Sequence, residues 1–176
     1  MTESSEDFPQ TGRLLGVDYG TKRVGIAVST PDQKIASPLE ILTRQNENYD
    51  AKYFKEVISE YRISALVVGL PIHVNGTEGQ KAREAREYGG WLSQLTNLPV
   101  KYWDERYTSV AAEDCMIGID FTRKQRKRRM DMVAAQIMLQ AYLDHQETLR
   151  RDAAAVEAEA QDNASESANE SLDSAD

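Results

Sequence analysis

The chain has 176 residues, 40% of them apolar, which is enough for one domain with its own core. No run reaches the about 18 consecutive apolar residues of a membrane span. The polar start Met1-Thr2-Glu3-Ser4-Ser5-Glu6-Asp7 lacks the basic and apolar parts of a secretory signal, so a cytoplasmic protein without membrane contact is expected. The single cysteine, Cys115, excludes an internal disulfide and offers nothing toward a zinc site.

The net charge of −8 is unevenly distributed. Residues 152–176 carry eight acids and no Lys or Arg, and Glu3, Glu6 and Asp7 open the chain. The remaining 18 acids face all 21 bases, so residues 12–151 are mildly basic. That basicity is concentrated in Arg123-Lys124-Gln125-Arg126-Lys127-Arg128-Arg129. Cations at the start of a helix oppose its dipole, and a polyanion would relieve the conflict. A solvated helix start is the competing structural role.

In chain order, residues 13–19 and 24–29 read as two strands joined by a short turn containing Gly20, an antiparallel hairpin. Residues 35–42 supply a third strand. Tyr53, Phe54, Val57, Ile58 and Tyr61 form the stripe of an amphipathic helix over 51–61, with Asp50 as its N-cap. Ala65-Leu66-Val67-Val68-Gly69-Leu70-Pro71 is wholly apolar, which predicts a central strand buried on both faces.

A polar loop from Ile72 to Gly79 leads to a helix over 80–95 with Tyr88, Trp91, Leu92 and Leu95 on its apolar face. Residues 98–103 form a further strand. Thr108 or Ser109 caps a helix to about Met116, and a last helix runs from near Arg126 to His145, with Val133, Ile137 and Met138 helping to bury it. Three strands followed by alternating helices and strands predict an α/β fold, a mixed sheet with helices on both faces. Residues 1–11 are expected to be disordered, residues 12–149 to form the domain, and residues 150–176 to continue as helix before fraying into a disordered acidic tail.

Three carboxylates stand where this topology can gather them: Asp18 at the end of the first strand, Glu105 just past the last, and Asp131 in the final helix. Parallel strands share a C-terminal edge, and a helix packed across that edge brings in the third acid. The small Ala134 and Ala135 let that helix approach the sheet. A buried carboxylate costs several kcal/mol unless a cation compensates it. Oxygen ligands of this kind suit Mg²⁺ or Mn²⁺, and two ions about 4 Å apart can serve phosphodiester hydrolysis.

Each acid also has a purely structural role open to it. Asp18 can form an Asx turn, Glu105 can pair with Arg106, and Asp131 can answer Arg128. Around the acids, Lys22, Arg23 and Asn75 are candidates for gripping substrate, as are Arg126, Lys127, Arg128 and Arg129. Thr21 is a candidate for orienting water. His73 reads as a loop residue, and Trp91 and Trp103 as core.

Four blocks, Asp18-Tyr-Gly-Thr-Lys-Arg-Val-Gly-Ile-Ala, Val-Val-Gly-Leu-Pro with Asn75-Gly-Thr-Glu, Asp104-Glu-Arg-Tyr-Thr-Ser, and Asp131-Met-Val-Ala-Ala-Gln-Ile-Met-Leu-Gln-Ala-Tyr-Leu, together resemble the YqgF family, also called RuvX. The resemblance covers residues 12–145. It implies an RNase H-like fold with a five-stranded mixed sheet and an acidic site that falls on Asp18, Glu105 and Asp131. It also implies a cytoplasmic nuclease that matures the 5′ end of the 16S rRNA precursor, or, as proposed earlier for the family, one that cuts Holliday junctions. Tyr107 replaces a leucine common in the family, and the acidic tail lies outside the resemblance.

Two rivals remain at this level. An actin-like ATPase shares the Asp-Tyr-Gly-Thr turn but needs a second lobe, and a non-catalytic RNA-binding module would use only the basic segment. The oligomeric state, monomer or homodimer, stays open.

Overall fold

The computed structural model describes residues 8–107 and 123–173, with side chains described for 8–106 and 133–158. The chain forms β1 (Arg13–Asp18), β2 (Arg23–Ser29), β3 (Ala36–Thr43), α1 (Glu47–Tyr61), β4 (Ile63–Leu70), α2 (Gln80–Thr96), β5 (Val100–Asp104), a 3₁₀ turn (Glu105–Tyr107) and α3 (Arg123–Asp173). The five strands make one sheet in the order β3-β2-β1-β4-β5. β1, β2 and β3 pair antiparallel, while β1 with β4 and β4 with β5 pair parallel. The mixed α/β sheet expected from the sequence is therefore present, and β1, β4 and β5 end at one edge. The expected helix over 108–116, with Cys115, lies outside the described residues.

Strand alternation divides the sheet into two unlike faces. Leu15, Val17, Val24, Ile26, Leu66, Val68 and Leu70 point to one side and form a core with Phe54 and Val57 of α1 and Ala82, Ala85, Tyr88 and Leu92 of α2. The opposite side carries Leu14, Ala27, Ala65 and Val67, packed with Ala135, Met138, Leu139, Tyr142 and Leu143 of α3. Gly16 lies on this second side too. A Cβ there would come within 2.9 Å of Leu139 Cβ and 3.4 Å of the Ala135 carbonyl oxygen, so the bare backbone lets α3 lie close. The stripe of α3 facing the sheet is thus Ala135, Met138, Leu139, Tyr142 and Leu143; Val133 and Ile137, expected to be buried, are only half-buried.

Two glutamines fix this helix against the edge strand. Gln140 Oε1 accepts from the Ala36 amide (2.7 Å) and its Nε2 donates to the Lys34 carbonyl (2.9 Å), while Gln136 Nε2 donates to the Ala36 carbonyl (3.1 Å). Farther along β3, the register slips between Ile26 and Ala27 of its neighbour, opposite Pro38 and Glu40. At the other end of the hairpin, a Cβ on Gly20 would collide with the Arg23 carbonyl oxygen, so the turn after β1 requires glycine.

Three boundaries differ from the sequence reading. α1 begins one turn earlier than its apolar stripe implied, capped by Asn46, whose Oδ1 accepts from the Tyr49 amide at 2.9 Å. Asp50 is consequently not the N-cap but a buried member of the first turn. Phe8, within the segment expected to be disordered, is buried edge-on against Tyr142 (ring centroids 6.2 Å apart), which limits that expectation to residues 1–7, outside the described residues. The last helix continues past His145, in line with the expected helical continuation, but runs farther, unbroken to Asp173, because Ala- and Glu-rich sequence favours helix without needing a packing partner.

The chain divides into two units, Met1–Leu143 and Asp144–Asp176. In the second, Glu147 accepts from Arg151 Nε at 3.1 Å, and residues 151–158 are exposed throughout. This unit buries no apolar face over its described side chains.

Candidate active site

Strand periodicity puts Asp18 on the same side of β1 as Gly16, the side that α3 covers. Val17 is in register with Val68, and Gly69 with Trp103, so Gly69 of β4 stands between the ends of β1 and β5. A Cβ on Gly69 would lie only 2.5 Å from Glu105 Oε1. The missing side chain is what allows the Glu105 carboxylate to lie across β4 toward Asp18.

That position changes the acid. Burial, then the negative charge of Asp18, then that of Asp104, push the Glu105 carboxyl up to about 7, with Lys81 opposing weakly. Its neighbour goes the other way. Arg106 forks onto Asp104, with Nη2 to Oδ2 at 2.6 Å and Nε to Oδ2 at 2.9 Å, and holds Asp104 below the usual carboxylate range. The ion pair that sequence alone allowed between Glu105 and Arg106 is therefore made by Asp104, and Glu105 lies close enough to Asp18 to feel its charge.

Asp131 belongs to α3, one turn ahead of Ala135. α3 crosses both Gly16 and Gly69, with Met138 Cγ 3.5 Å from where a Gly69 Cβ would be. The backbone thus places Asp131 on the helical face that meets the sheet; its side chain lies outside the described residues, as do those of Arg126, Lys127, Arg128 and Arg129. Among the described residues no three His, Cys, Asp or Glu side chains form a metal-holding group. Two hard oxygen donors, Asp18 and Glu105, do converge. The proximity of the two carboxylates and the raised Glu105 carboxyl fit a divalent cation, which would offset their mutual repulsion.

The other candidates fall around this edge. Lys22 and Arg23 are exposed in the turn that follows Asp18. Asn75 sits at the tip of the loop after β4, where its Oδ1 accepts from the Thr77 amide (3.1 Å) and hydroxyl (2.7 Å). Gly76, at φ +84°, turns this tip toward Arg106, whose Nη1 would be 3.8 Å from a Cβ there. Asn75 thereby stands near the turn that holds Glu105. His73 is an exposed loop residue, and Trp103 packs on Tyr142 with ring centroids 5.6 Å apart, both as expected.

Sequence reasoning missed Gly69 and the Asp104–Arg106 fork. A glycine inside an otherwise apolar central strand was the available signal, because such a residue weakens a strand unless something must approach it closely.

The profile of the RuvX family, described as "Holliday junction resolvase", matches residues 12–145. A Rhodopirellula baltica protein named "Putative pre-16S rRNA nuclease" is 46% identical over 143 residues, 81% of this chain and 83% of that protein. A protein of the same name from Bradyrhizobium sp. is 39% identical over 86% of this chain and 94% of its own. In fold, the chain resembles Thermus thermophilus RuvC in complex with Holliday junction substrate, with a TM-score of 0.53 at 13% identity over 77% of this chain and 95% of that one. From the extent of the profile match and the level of identity, this chain belongs to the RuvX family.

Proposed function

We propose that the protein is a metal-dependent nuclease that hydrolyses phosphodiester bonds at the 5′ end of pre-16S rRNA, in the cytoplasm. The observation that carries the chemistry is the Glu105 carboxylate lying over Gly69 toward Asp18. The rRNA substrate follows the name of the relatives at 39–46% identity.

Asp18, Glu105 and Asp131 would hold the metal, Mg²⁺ or Mn²⁺ and as two ions. Divalent cations at such a site activate water and offset charge on the leaving oxygen. Asp18 and Glu105 contribute negative charge from rigid elements, one at a strand end and the other in a turn fixed by the Asp104–Arg106 fork. Lys22 and Arg23 on one side, and Arg126, Lys127, Arg128 and Arg129 on the other, neutralise substrate phosphates, and Asn75 contacts the backbone or sugar. Residues 12–149 are the catalytic domain, and residues 150–176 an acidic appendage outside it.

Purified protein is offered a structured rRNA leader with Mg²⁺ or Mn²⁺, alongside Asp18→Asn and Asp131→Asn. Both variants lose cleavage by about 10³-fold or more, some 4 kcal/mol of transition-state stabilisation, while binding persists. Equal cleavage by wild type and variants would place the activity elsewhere. A second reading, resolution of branched DNA, is favoured by the description of the family profile. A four-way junction run beside the leader decides between them, the better-cut substrate being the natural class.

A further inference from the structure

On the opposite side of the sheet from Asp18, a cleft of about 340 Å³ opens between α1, α2 and the residue after Asp18. It is lined by Tyr19, Arg44, Glu47, Asp50, Glu84, Glu87, Tyr88 and Trp91, and nothing in the proposed nuclease chemistry uses it. Its volume is at the small end of ligand sites, suited to one side chain or a small organic molecule.

The cleft is built from aromatic rings and carboxylates. Tyr88 lies 4.8 Å from Tyr19 and 5.2 Å from Trp91, ring centre to ring centre. The Arg44 guanidinium already uses two of these faces, at 4.8 Å from the Tyr88 centroid and 5.4 Å from that of Tyr19. Arg44 is fastened by Nε to Asp50 Oδ2 (2.8 Å) and by Nη1 to the Tyr19 hydroxyl (3.1 Å). Arg44 therefore shows that these walls accept a planar cation.

The charge is not balanced. Four carboxylates, those of Glu47, Asp50, Glu84 and Glu87, face one guanidinium. Asp50 is 1% exposed, yet only its Oδ2 is engaged, by Arg44 and by the Tyr88 hydroxyl at 3.4 Å; Oδ1 has no hydrogen-bond partner. A bidentate Arg–carboxylate pair would have satisfied both oxygens; instead Oδ1 is sealed from solvent behind the Arg44–Tyr88 contact, and the accessible negative charge of the cleft is that of the rim glutamates. Glu84 and Glu87 stand three residues apart on α2, neighbours on one helical face, at the rim beside Trp91.

We propose that this cleft binds an alkylguanidinium group, stacked on the half-buried Trp91 and held by Glu84 and Glu87. A free small guanidine and an arginine side chain of a protein partner share that chemistry. A nucleotide is disfavoured, because its phosphates would come within a Debye length of the three rim glutamates.

Calorimetry on the full chain, with the Trp91 indole N–H signal followed by NMR, tests this using agmatine, acetyl-Gly-Arg-Gly-amide, putrescine and guanosine. Agmatine or the tripeptide binds one to one with a Kd of about 1 mM or tighter. Affinity falls at least about fivefold in Glu87→Gln and in Glu84→Gln, close to 1 kcal/mol each, and is unchanged in Glu56→Gln, a carboxylate of α1 outside the cleft. Tighter binding of the tripeptide than of agmatine identifies a protein partner, and the reverse a small molecule. No saturable binding, equal weakening by Glu56→Gln and Glu87→Gln, or stronger binding of putrescine or guanosine than of either guanidine would overturn the proposal. The readout needs no cleavage, so it stands or falls apart from the nuclease reading.

Discussion

The two faces of the sheet are made by the same strands and do different work. Toward α1 and α2 the strands present Leu15, Val17, Ile26, Leu66 and Val68, and the space between layers is filled by side chains. Toward α3 they present Leu14 and Val67 alongside Ala27 and Ala65, with bare backbone at Gly16 and, at the edge, Gly69, over which the helix comes in close. Bulk on one side supplies stability. Bare backbone at Gly16 and Gly69 on the other leaves room, at the end of the strands, for carboxylates that would otherwise be held apart.

The difference can be broken most severely from the bulky side. Phe54→Ala empties a fully buried site between α1 and the sheet and lowers stability by about 3–5 kcal/mol in denaturant unfolding, with the activity of the folded fraction unchanged. On the other side, Gly16→Ala forces a Cβ against Leu139 and the Ala135 carbonyl, which belong to a packed helix and cannot easily yield. Overpacking of this kind costs about 1–3 kcal/mol, measured in the same way.

Gly69→Ala separates activity from stability. The atom its Cβ meets is the far end of the flexible Glu105 side chain, so that carboxylate moves aside and stability changes by less than about 0.5 kcal/mol. Cleavage falls about tenfold, the equivalent of 1.4 kcal/mol. Loss of stability with normal specific activity would show that Gly69 serves packing alone.

A further effect is electrostatic, and solvent screening at the partly exposed Glu105 reduces it. Without divalent cations, folded Glu105 holds its proton up to about 7, whereas an unfolded glutamate near 4.5 has already released it. The folded state then binds more protons over that window, so its stability is complete below the unfolded value and declines as pH rises through about 7. In EDTA, Tm falls between about pH 5 and about pH 8, and Glu105→Gln flattens the change. A slope equal in wild type and variant would show that Glu105 is not the titrating group.

Much of this was legible before any coordinates. The apolar runs of β1 and β4 identify buried strands, and the ends of β1 and β5 locate Asp18 and Glu105. Asp50 was misplaced because a polar residue ahead of an apolar stripe looks like a cap; the true cap is Asn46, since the first turn of α1 is polar and carries no stripe. The reach of Glu105 over Gly69 and the capture of Arg106 by Asp104 depend on tertiary register. Two adjacent acids beside one arginine do not reveal in sequence which of them the arginine takes.

The glutamines of α3 bear on how the protein behaves in a crowded solution. An open strand edge is a template for a second chain, and recruitment of that kind begins aggregation. Along β3 the amide and carbonyl of Ala36 are taken by Gln140 and Gln136, while Pro38 has no N–H to offer and the ladder slips beside it. Pairing of a second strand along β3 is thereby interrupted over Ala36–Pro38. The same helix that carries Asp131 blunts one edge of the sheet against self-association.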